Sequence, residues 1–116
     1  MPERERLPQQ RKGISQSFKV GGLEGYIQTG EYSDGRLGEI FLTVSKQGST
    51  IAGLMNSIAI LTSIALQYGV PIQVLREKLE DIVFEPNGKT DDESIPEVSS
   101  IVDYVFRRLE ADYAKG

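Results

Sequence analysis

The stretch "YIQTGEYSDGRLGEIFLTVS", residues 26–45, carries two runs of alternating side chains on either side of Asp34-Gly35. Asp-Gly is a favoured hairpin turn, because glycine tolerates a positive φ. With Asp34-Gly35 as a two-residue loop, Ile27 lies opposite Leu42. Side chains alternate along a strand, so one face of the second strand is apolar and should meet the core: Ile40, Leu42 and Val44.

The segments around this hairpin extend the pattern in both directions. Upstream, residues 17–32 predict two short strands joined by a turn at Gly21-Gly22. Downstream, Ser49 or Thr50 caps a helix. Its apolar residues recur at steps of three and four, which predicts one buried helical face: Ile51, Leu54, Met55, Ile58, Leu61, Ala65 and Tyr68. No side chain from Gln47 to Leu75 is charged. Polar interruptions favour a central helix covered on several sides over a membrane span.

Two further helices complete the prediction. Gly69 ends the first helix, and a second runs from about Pro71 to Ile82, with Leu75, Leu79 and Ile82 facing inward. Residues 84–94 form a loop, and a last helix starts near Pro96 with one apolar face: Val98, Ile101, Val102, Val105 and Leu109. The fold class is α+β, with short antiparallel β hairpins in the N-terminal half followed by three α-helices packed on the sheet.

Length and composition bound the domain organisation. With 116 residues, the chain predicts a single α+β domain over residues 14–113, preceded by a flexible basic arm at 1–13 and followed by a tail at 114–116. We expect the arm to be solvated and mobile rather than a tether for a partner. The net charge of -4 argues against general nucleic-acid binding. No segment indicates secretion or a membrane, so a cytoplasmic protein is expected.

Cysteine and histidine are both absent from the chain. Disulfides, thiolate metal sites, cysteine nucleophiles and histidine-based triads are therefore excluded, and no metal site is predicted. Carboxylates remain as acid-base candidates, but no pair of them has a spacing that forces proximity: Glu24, Glu31, Glu39 and Glu85. The run Asp91-Asp92-Glu93 lacks the spaced pattern of a calcium loop and is interpreted as solvated. No catalytic residue is predicted.

The turn "KQGST", residues 46–50, is the strongest candidate for a ligand site. The first amides of a helix lack internal partners, and the helix dipole favours negative charge there. Lys46, Gly48, Ser49 and Thr50 are therefore phosphate-binding candidates. The alternative is an ordinary helix cap, since Ser and Thr are the usual capping residues and the spacing does not match a P-loop.

Aromatic side chains on the last helix leave a second question open. Tyr104, Phe106 and Tyr113 lie partly off its apolar face. They predict either a contact between copies of the chain or closure over the sheet.

The chain resembles a known family through four segments that keep the family's order. They are "RERLPQQRKGISQSFKVGGLEGYI" (4–27), "DGRLGEIFLTVSKQGSTIAGLMNSIAILTSIALQYGVP" (34–71), "FEPNG" (84–88) and "IVDYVFRRL" (101–109). Together they look like the C-terminal, TSCPD-related region of adenosylcobalamin-dependent (class II) ribonucleotide reductases. The resemblance covers nearly the whole chain.

The resemblance implies a role without the family's chemistry. In that family a separate, larger barrel binds adenosylcobalamin and carries the thiyl radical and the reducing cysteine pair. A chain without cysteine cannot reduce a ribonucleotide by that mechanism, so we expect no cofactor bound by this chain alone. The family motifs at Gly48-Ser49-Thr50 and "FEPNG" are retained, which makes the turn surface of Glu85, Asn87 and Gly88 a second segment of interest.

Three hypotheses follow for the function. The first is a free-standing accessory or regulatory module of deoxyribonucleotide synthesis, which binds a ribonucleotide reductase catalytic chain, or a nucleotide or phosphate at residues 46–50. The second is a structural homo-oligomerisation domain without a ligand, in which the uncharged segment lies partly in a homodimer. The third is an enzyme that uses carboxylates for acid-base catalysis, and no set of residues in the sequence indicates such a site.

Overall fold

The computed structural model describes residues 3–46 and 48–114, so the expected tail lies almost wholly outside the described residues. Three strands precede the first helix as expected, but a short strand pair that the sequence did not predict lies between the second and third helices, so the expected loop over residues 84–94 is wrong at β4: β1 (Ser15–Val20), β2 (Leu23–Glu31), β3 (Leu37–Val44), α1 (Thr50–Gln67), α2 (Ile72–Leu79), β4 (Gly88–Lys89), β5 (Glu97–Val98) and α3 (Ile101–Tyr113). One sheet has the strand order β1-β2-β3, and β4 pairs with β5. The α+β class is confirmed.

The chain divides into two compact units. Unit 1 contains the residues up to Ser17 together with Gly25–Val70, and unit 2 contains Phe18–Glu24 together with the residues from Pro71 onward. The turn that joins β1 to β2 therefore belongs to unit 2. The single domain expected over residues 14–113 stays a prediction.

The hairpin of β2 and β3 has the register that the sequence predicts. Ile27 pairs with Leu42 and Thr29 pairs with Ile40, in antiparallel orientation. The expected face of β3 is buried at Ile40, Leu42 and Val44. Alternation of side chains along the strand places all three on one face of the sheet.

The loop of the hairpin differs from the prediction. The amide of Tyr32 donates to the carbonyl of Arg36 at 2.9 Å, so the loop holds three residues, Ser33–Gly35, rather than two. The register then shifts between Gly30 and Glu31, which leaves Gly38 as an extra residue on β3. The three-residue loop and this bulge together give the strand partners that a two-residue loop would give without a bulge. This is why the register is right although the loop is not.

The arm residues are mostly exposed, as expected, but they also make specific contacts within unit 1, and the flexibility of the arm stays a prediction. The amide of Glu5 donates to the carbonyl of Gln67 at 2.9 Å, and the Glu5 carboxylate pairs with Arg36 at 2.8 Å. Arg11 pairs with Glu39 at 2.5 Å. The carbonyl of Lys12 accepts from the Glu31 amide of β2 at 2.9 Å. The arm is thus held by ion pairs of both senses, with a basic residue in Arg11 and an acidic residue in Glu5.

Helix α1 lies on β3 by one face only. The hydroxyl of Ser63 accepts from the Ile40 amide at 2.9 Å and donates to the Ile40 carbonyl at 3.2 Å. The Gln67 amide nitrogen donates to the Gly38 carbonyl at 3.0 Å. Side chains of α1 that are buried lie on this face: Met55, Ala59, Thr62 and Gln67.

The predicted buried face of α1 is right at Met55 but wrong at Leu54, Leu61 and Tyr68, and the expectation of a helix covered on several sides is wrong. Leu54 and Leu61, both placed inward by the periodicity, are 60% and 67% exposed. The helix is apolar around most of its circumference, so spacing alone does not identify the core face. By length and composition α1 is also a candidate membrane span, with 22% of its 18 residues buried.

In unit 2, α2 and α3 pack together and both are shorter than predicted. Helix α2 ends at Leu79, which leaves Ile82 49% exposed rather than inward. Helix α3 begins at Ile101 and not near Pro96. Ser100 is its N-cap, since its hydroxyl accepts from the Asp103 amide at 3.0 Å. The residues before this cap form β5 instead.

Helix α3 is the core of unit 2. Every residue from Ile101 to Phe106 is buried, and Leu109 is buried too. Tyr104 and Phe106 are 0% and 1% exposed, so neither forms a contact between copies. The Tyr104 ring lies 5.3 Å from that of Phe18 on β1, which is the alternative in which the aromatic residues close over the strands.

Candidate functional site

The turn between β3 and α1 is built as a helix cap. Gly48 has a φ of +78°, a conformation that favours glycine. The Ser49 hydroxyl accepts from the Ala52 amide at 3.2 Å and donates to the Lys46 carbonyl. The Ser49 carbonyl accepts from the Gly53 amide at 3.1 Å. The prediction that Ser49 or Thr50 caps this helix is thereby confirmed at Ser49. Its hydroxyl both accepts a hydrogen bond from and donates one to the main chain.

The cap limits what the turn can offer to an anion. A helix start has four amides without helical partners, here those of Ser49 to Ala52; the Ser49 amide donates to the Lys46 carbonyl at 3.3 Å, and the Ala52 amide donates to the Ser49 hydroxyl. At most two remain, those of Thr50 and Ile51. Lys46 and Thr50 are exposed, and Lys46 forms no ion pair within the described part of the chain. Gln47, which completes the motif, lies outside the described residues.

An open groove of about 550 Å³ lies beside this turn in unit 1. Its walls come from the end of β3 and the first turns of α1: Leu42, Thr43, Val44, Gly48, Ser49, Ala52, Gly53 and Asn56. The volume is in the range of small-molecule sites, about 300–1,000 Å³. The lining is neutral, with hydroxyl and amide groups among apolar ones, so charge for a phosphate would come from Lys46 and the helix dipole.

The second segment of interest is a structural turn of unit 2. Gly88 has a φ of +93°, and the peptide bond between Glu85 and Pro86 is cis. The Pro86 carbonyl accepts from the Ile101 amide at 3.0 Å, and the Lys89 carbonyl accepts from the Gly21 amide at 3.1 Å. A Cβ on Gly21 would lie 2.6 Å from the Asn87 carbonyl oxygen, so the missing side chain of Gly21 allows this approach.

This turn belongs to unit 2, whereas residues 46–50 belong to unit 1. Glu85 is exposed, whereas Asn87 and Gly88 are half-buried. The approach of Asn87 to Gly21 and the pairing of Gly88 with Val98 give this turn a structural role, and its role as a surface of interest stays a prediction.

Asp92 anchors a polar cluster that the sequence interpretation missed. One carboxylate oxygen accepts from the Tyr104 hydroxyl at 2.8 Å and from Arg108 at 3.0 Å. The other accepts from the amide and the hydroxyl of Ser94 at 3.1 and 2.7 Å. Burial alone would raise the pKa of Asp92, but these hydrogen bonds lower it to about 2. Burial, together with the bond to Asp92, raises the pKa of Tyr104.

The expectation that Asp91, Asp92 and Glu93 are all solvated is therefore wrong for Asp92, whose side chain is 9% exposed. Asp91 also has a partner, because its carboxylate accepts from the Lys19 amide at 2.8 Å. The local signal was Asp92-x-Ser94, a common side-chain turn, but the partners on α3 are not visible in local sequence. Both carboxylates connect the loop of residues 90–95 to other parts of unit 2, Asp91 to β1 and Asp92 to α3. Their role is therefore structural.

The remaining carboxylates do not assemble into an acid-base or metal site. Glu39 pairs with Arg11, and Glu24 lies 3.9 Å from Lys19. Within residues 3–46 and 48–114, no group of three or more Asp, Glu, His or Cys side chains is placed to hold a metal ion.

Comparison with known proteins identifies one family. Residues 2–113 match the model of the TSCPD domain. Proteins named vitamin B12-dependent ribonucleotide reductase are similar: 52% identical over 112 residues in Streptomyces avermitilis, 45% over 115 in Rhodopirellula baltica and 45% over 112 in Agrobacterium fabrum. These alignments cover 97%, 99% and 96% of this chain but only 12%, 11% and 9% of the relatives. No solved structure matches the chain.

Proposed function

The chain belongs to the TSCPD domain family, and we propose that it is a ribonucleotide reductase-related module that acts by binding rather than by catalysis of its own. The observation that carries this proposal is the match of nearly the whole chain to a short segment of vitamin B12-dependent ribonucleotide reductases. The proposed role is accessory or regulatory, in cytoplasmic deoxyribonucleotide synthesis. Its partner is a reductase catalytic chain, or a nucleotide.

The Lys46–Thr50 turn is the proposed place for a nucleotide or free phosphate. The groove beside it has the volume of a small-molecule site, and the start of α1 supplies up to two amides and the positive end of a helix dipole. Lys46 is exposed and unpaired within the described residues, so it adds a positive charge at no cost in broken contacts. The occupied Ser49 hydroxyl is assigned to the cap and not to the ligand.

The proposal assigns no cofactor to this chain. The relatives are named for vitamin B12. This chain has no histidine or cysteine to act as a cobalt ligand or a redox pair, and its described carboxylates form no ligand cluster. The residues present do not fit the group, and the proposed activity needs no step that involves it.

A thermal-shift series with dATP, ATP and inorganic phosphate tests the phosphate site. A ligand at a hundred times its dissociation constant stabilises a protein by about 2.7 kcal/mol, which raises the midpoint by several degrees. We expect one of these probes to shift the wild type and the shift to disappear in Lys46→Ala. Lys78→Ala is the matched control, because Lys78 is an exposed lysine of α2 in the other unit.

Two outcomes would contradict the phosphate site. The first is no shift with any probe, and the second is a shift that survives in Lys46→Ala. In either case Ser49→Ala should still lower stability by roughly 1 kcal/mol, as expected for a lost cap. Co-sedimentation with a reductase catalytic chain is then the test of a protein partner.

A structural homo-oligomerisation role is the second candidate, and one observation favours it. The outward side of α1 is apolar and exposed, and no charge occurs from Gln47 to Leu75. Exposed apolar patches of this kind mark interaction surfaces on soluble proteins. Light scattering at several protein concentrations distinguishes this role from a monomeric ligand-binding module.

A further inference from the structure

The outward face of α1 lies opposite the face that packs on β3. Its large side chains include Ile60, Leu61, Ile64 and Tyr68, which are 53%, 67%, 39% and 41% exposed. Gly53 and Ser57 continue the same face toward the start of the helix and are exposed too. The centre of the face is thus small in its N-terminal half, where Leu54, 60% exposed, lies at the edge, and large residues occupy its middle and C-terminal half.

This order is complementary to itself when the helix is reversed. If two copies cross antiparallel about a twofold axis between Ile60 and Leu61, these two residues face each other across the interface. One helical turn away, Ser57 faces Ile64 of the second copy. At the ends, Gly53 faces Tyr68, and a Cβ on Gly53 would meet nothing within 4 Å, so a ring has room there. A twofold interface of this kind uses one surface patch twice.

The polar groups of the face do not oppose its burial. The Ser57 hydroxyl donates to the Gly53 carbonyl within the same helix at 3.0 Å, so it keeps a partner when water is excluded. The face carries no charge, so two copies meet without the repulsion that like charges cause. A charged partner surface, by contrast, would lose its hydration here and gain no ion pair.

We propose that two copies of this chain associate through the outward faces of their α1 helices, antiparallel, with the axis between Ile60 and Leu61. This inference rests on the oligomerisation candidate and is independent of the phosphate site. An 18-residue helix is about 27 Å long and about 10 Å wide, so half its surface is roughly 400 Å² per copy. Standard interfaces bury about 800 Å² per partner, so the dimer is weak and depends on concentration.

Cysteine cross-linking tests the register, and it is clean because the chain contains no cysteine. Oxidation of a mixture of Ser57→Cys and Ile64→Cys chains should give the mixed disulfide dimer, since these positions face each other and a disulfide needs Cβ atoms about 4 Å apart. Val83→Cys, 72% exposed in the other unit, sets the level of random cross-linking. Preferential linking of Ser57→Cys to itself would indicate parallel helices and would overturn the proposal.

Sedimentation equilibrium separates this inference from the broader candidate. The mass of the wild type should rise toward a dimer between about 1 μM and 1 mM, the range of weak association. Leu61→Glu places a charge next to the axis and should abolish this rise, whereas Val83→Glu should not. Both positions are exposed, so neither variant should unfold.

Three results would overturn the proposal in distinguishable ways. A wild type that stays monomeric overturns the inference and the oligomerisation candidate together. A dimer that persists in Leu61→Glu overturns the inference alone. If the wild type is monomeric and binds lipid vesicles, and Leu61→Glu does not bind them, the face is a membrane-binding surface instead.

Discussion

At the scale of single residues, Gly21 and Gly22 form the turn between β1 and β2 and differ in one respect. Both have a positive φ, of 53° and 89°. The space around them is different, since a Cβ on Gly21 would lie 2.6 Å from the Asn87 carbonyl oxygen while one on Gly22 would meet nothing within 4 Å. Both positions therefore need a residue that tolerates a positive φ, but only Gly21 must also lack a side chain.

Alanine at each position should separate these two effects. Gly22→Ala should cost about 1–2 kcal/mol of unfolding free energy, the usual penalty of a left-handed backbone for a residue with a Cβ. Gly21→Ala should cost more, because the Asn87 carbonyl must also move. Urea unfolding measures both values. Equal losses would mean that the Asn87 turn moves away without cost.

Asp92 shows why some contacts at this scale escape sequence analysis. Its hydrogen-bond partners Tyr104 and Arg108 are 12 and 16 residues away in the chain. Acidic runs are usually solvated, and only the packing of the 90–95 loop against α3 makes this one different. The glycine turn at Gly21-Gly22, which depends on local backbone preference, was by contrast predictable.

At the scale of elements, local pattern determined the hairpin but not the face of α1. Alternation in β2 and β3 distinguishes inward from outward positions, and their register agrees with the prediction because the bulge offsets the longer loop. In α1 both faces are apolar, so the periodicity fits more than one orientation. Polar residues reveal the orientation only in the structure, where Ser63 and Gln67 bond to β3.

Gln67 joins three parts of unit 1. Its side chain donates to the Gly38 carbonyl on β3 at 3.0 Å and accepts from Arg4 of the arm at 2.6 Å. Gln67→Ala leaves the buried Gly38 carbonyl unpaired, so we expect a loss of about 2–3 kcal/mol in unfolding free energy. Gln73→Ala on α2 has no such partner among the described residues and should change stability by less than about 0.5 kcal/mol.

The same denaturant titration compares the two glutamine variants. A loss at Gln67 no larger than at Gln73 would contradict the bridging role. Faster amide exchange at Glu5 in Gln67→Ala would further show that the arm depends on this residue.

At the scale of the whole molecule, composition sets the pH response. The chain has neither histidine nor cysteine, the side chains whose ordinary pKa values lie between about 6 and 9. The shifted groups with the largest structural consequence are Asp92 and Tyr104, whose side chains share one hydrogen bond of 2.8 Å. Stability should therefore decline in acid when Asp92 is protonated and in base when Tyr104 is deprotonated, because each change weakens this hydrogen bond.

We expect a plateau of unfolding free energy from about pH 5 to pH 9 with a decline on either side. The folded pKa of Asp92 is about 2, below its ordinary 3.8, so its contribution is present above pH 3.8 and is lost as pH falls toward 2. The folded pKa of Tyr104 lies above its ordinary 10.0, so its contribution is lost as pH rises past 10.

Denaturation at a series of pH values in wild type and Asp92→Asn checks this. The variant should lose stability at neutral pH and show a smaller decline in acid. If Asp92→Asn loses as much unfolding free energy at low pH as the wild type does, the acid decline is due to other carboxylates.

For the whole molecule, sequence was sufficient for the class, the three N-terminal strands, the three helices and the family, because these depend on patterns that span many residues; the two-residue strands β4 and β5 are too short to leave such a pattern. It was not sufficient for the site. The helix start at Ser49 has the same appearance in sequence whether its amides bind only the cap or also an anion, and the contacts of the "FEPNG" turn with Gly21 depend on a neighbour distant in the chain.

The attachment of the arm also has a mechanical consequence. Its bonds follow the chain in order, from Glu5 on the end of α1, through Arg11 on Glu39, to Lys12 on β2. A pulling force applied at residue 3 therefore loads them one after another instead of all at once. The arm should detach contact by contact, beginning at Glu5, whose carboxylate also holds Arg36 at the end of the β2–β3 hairpin.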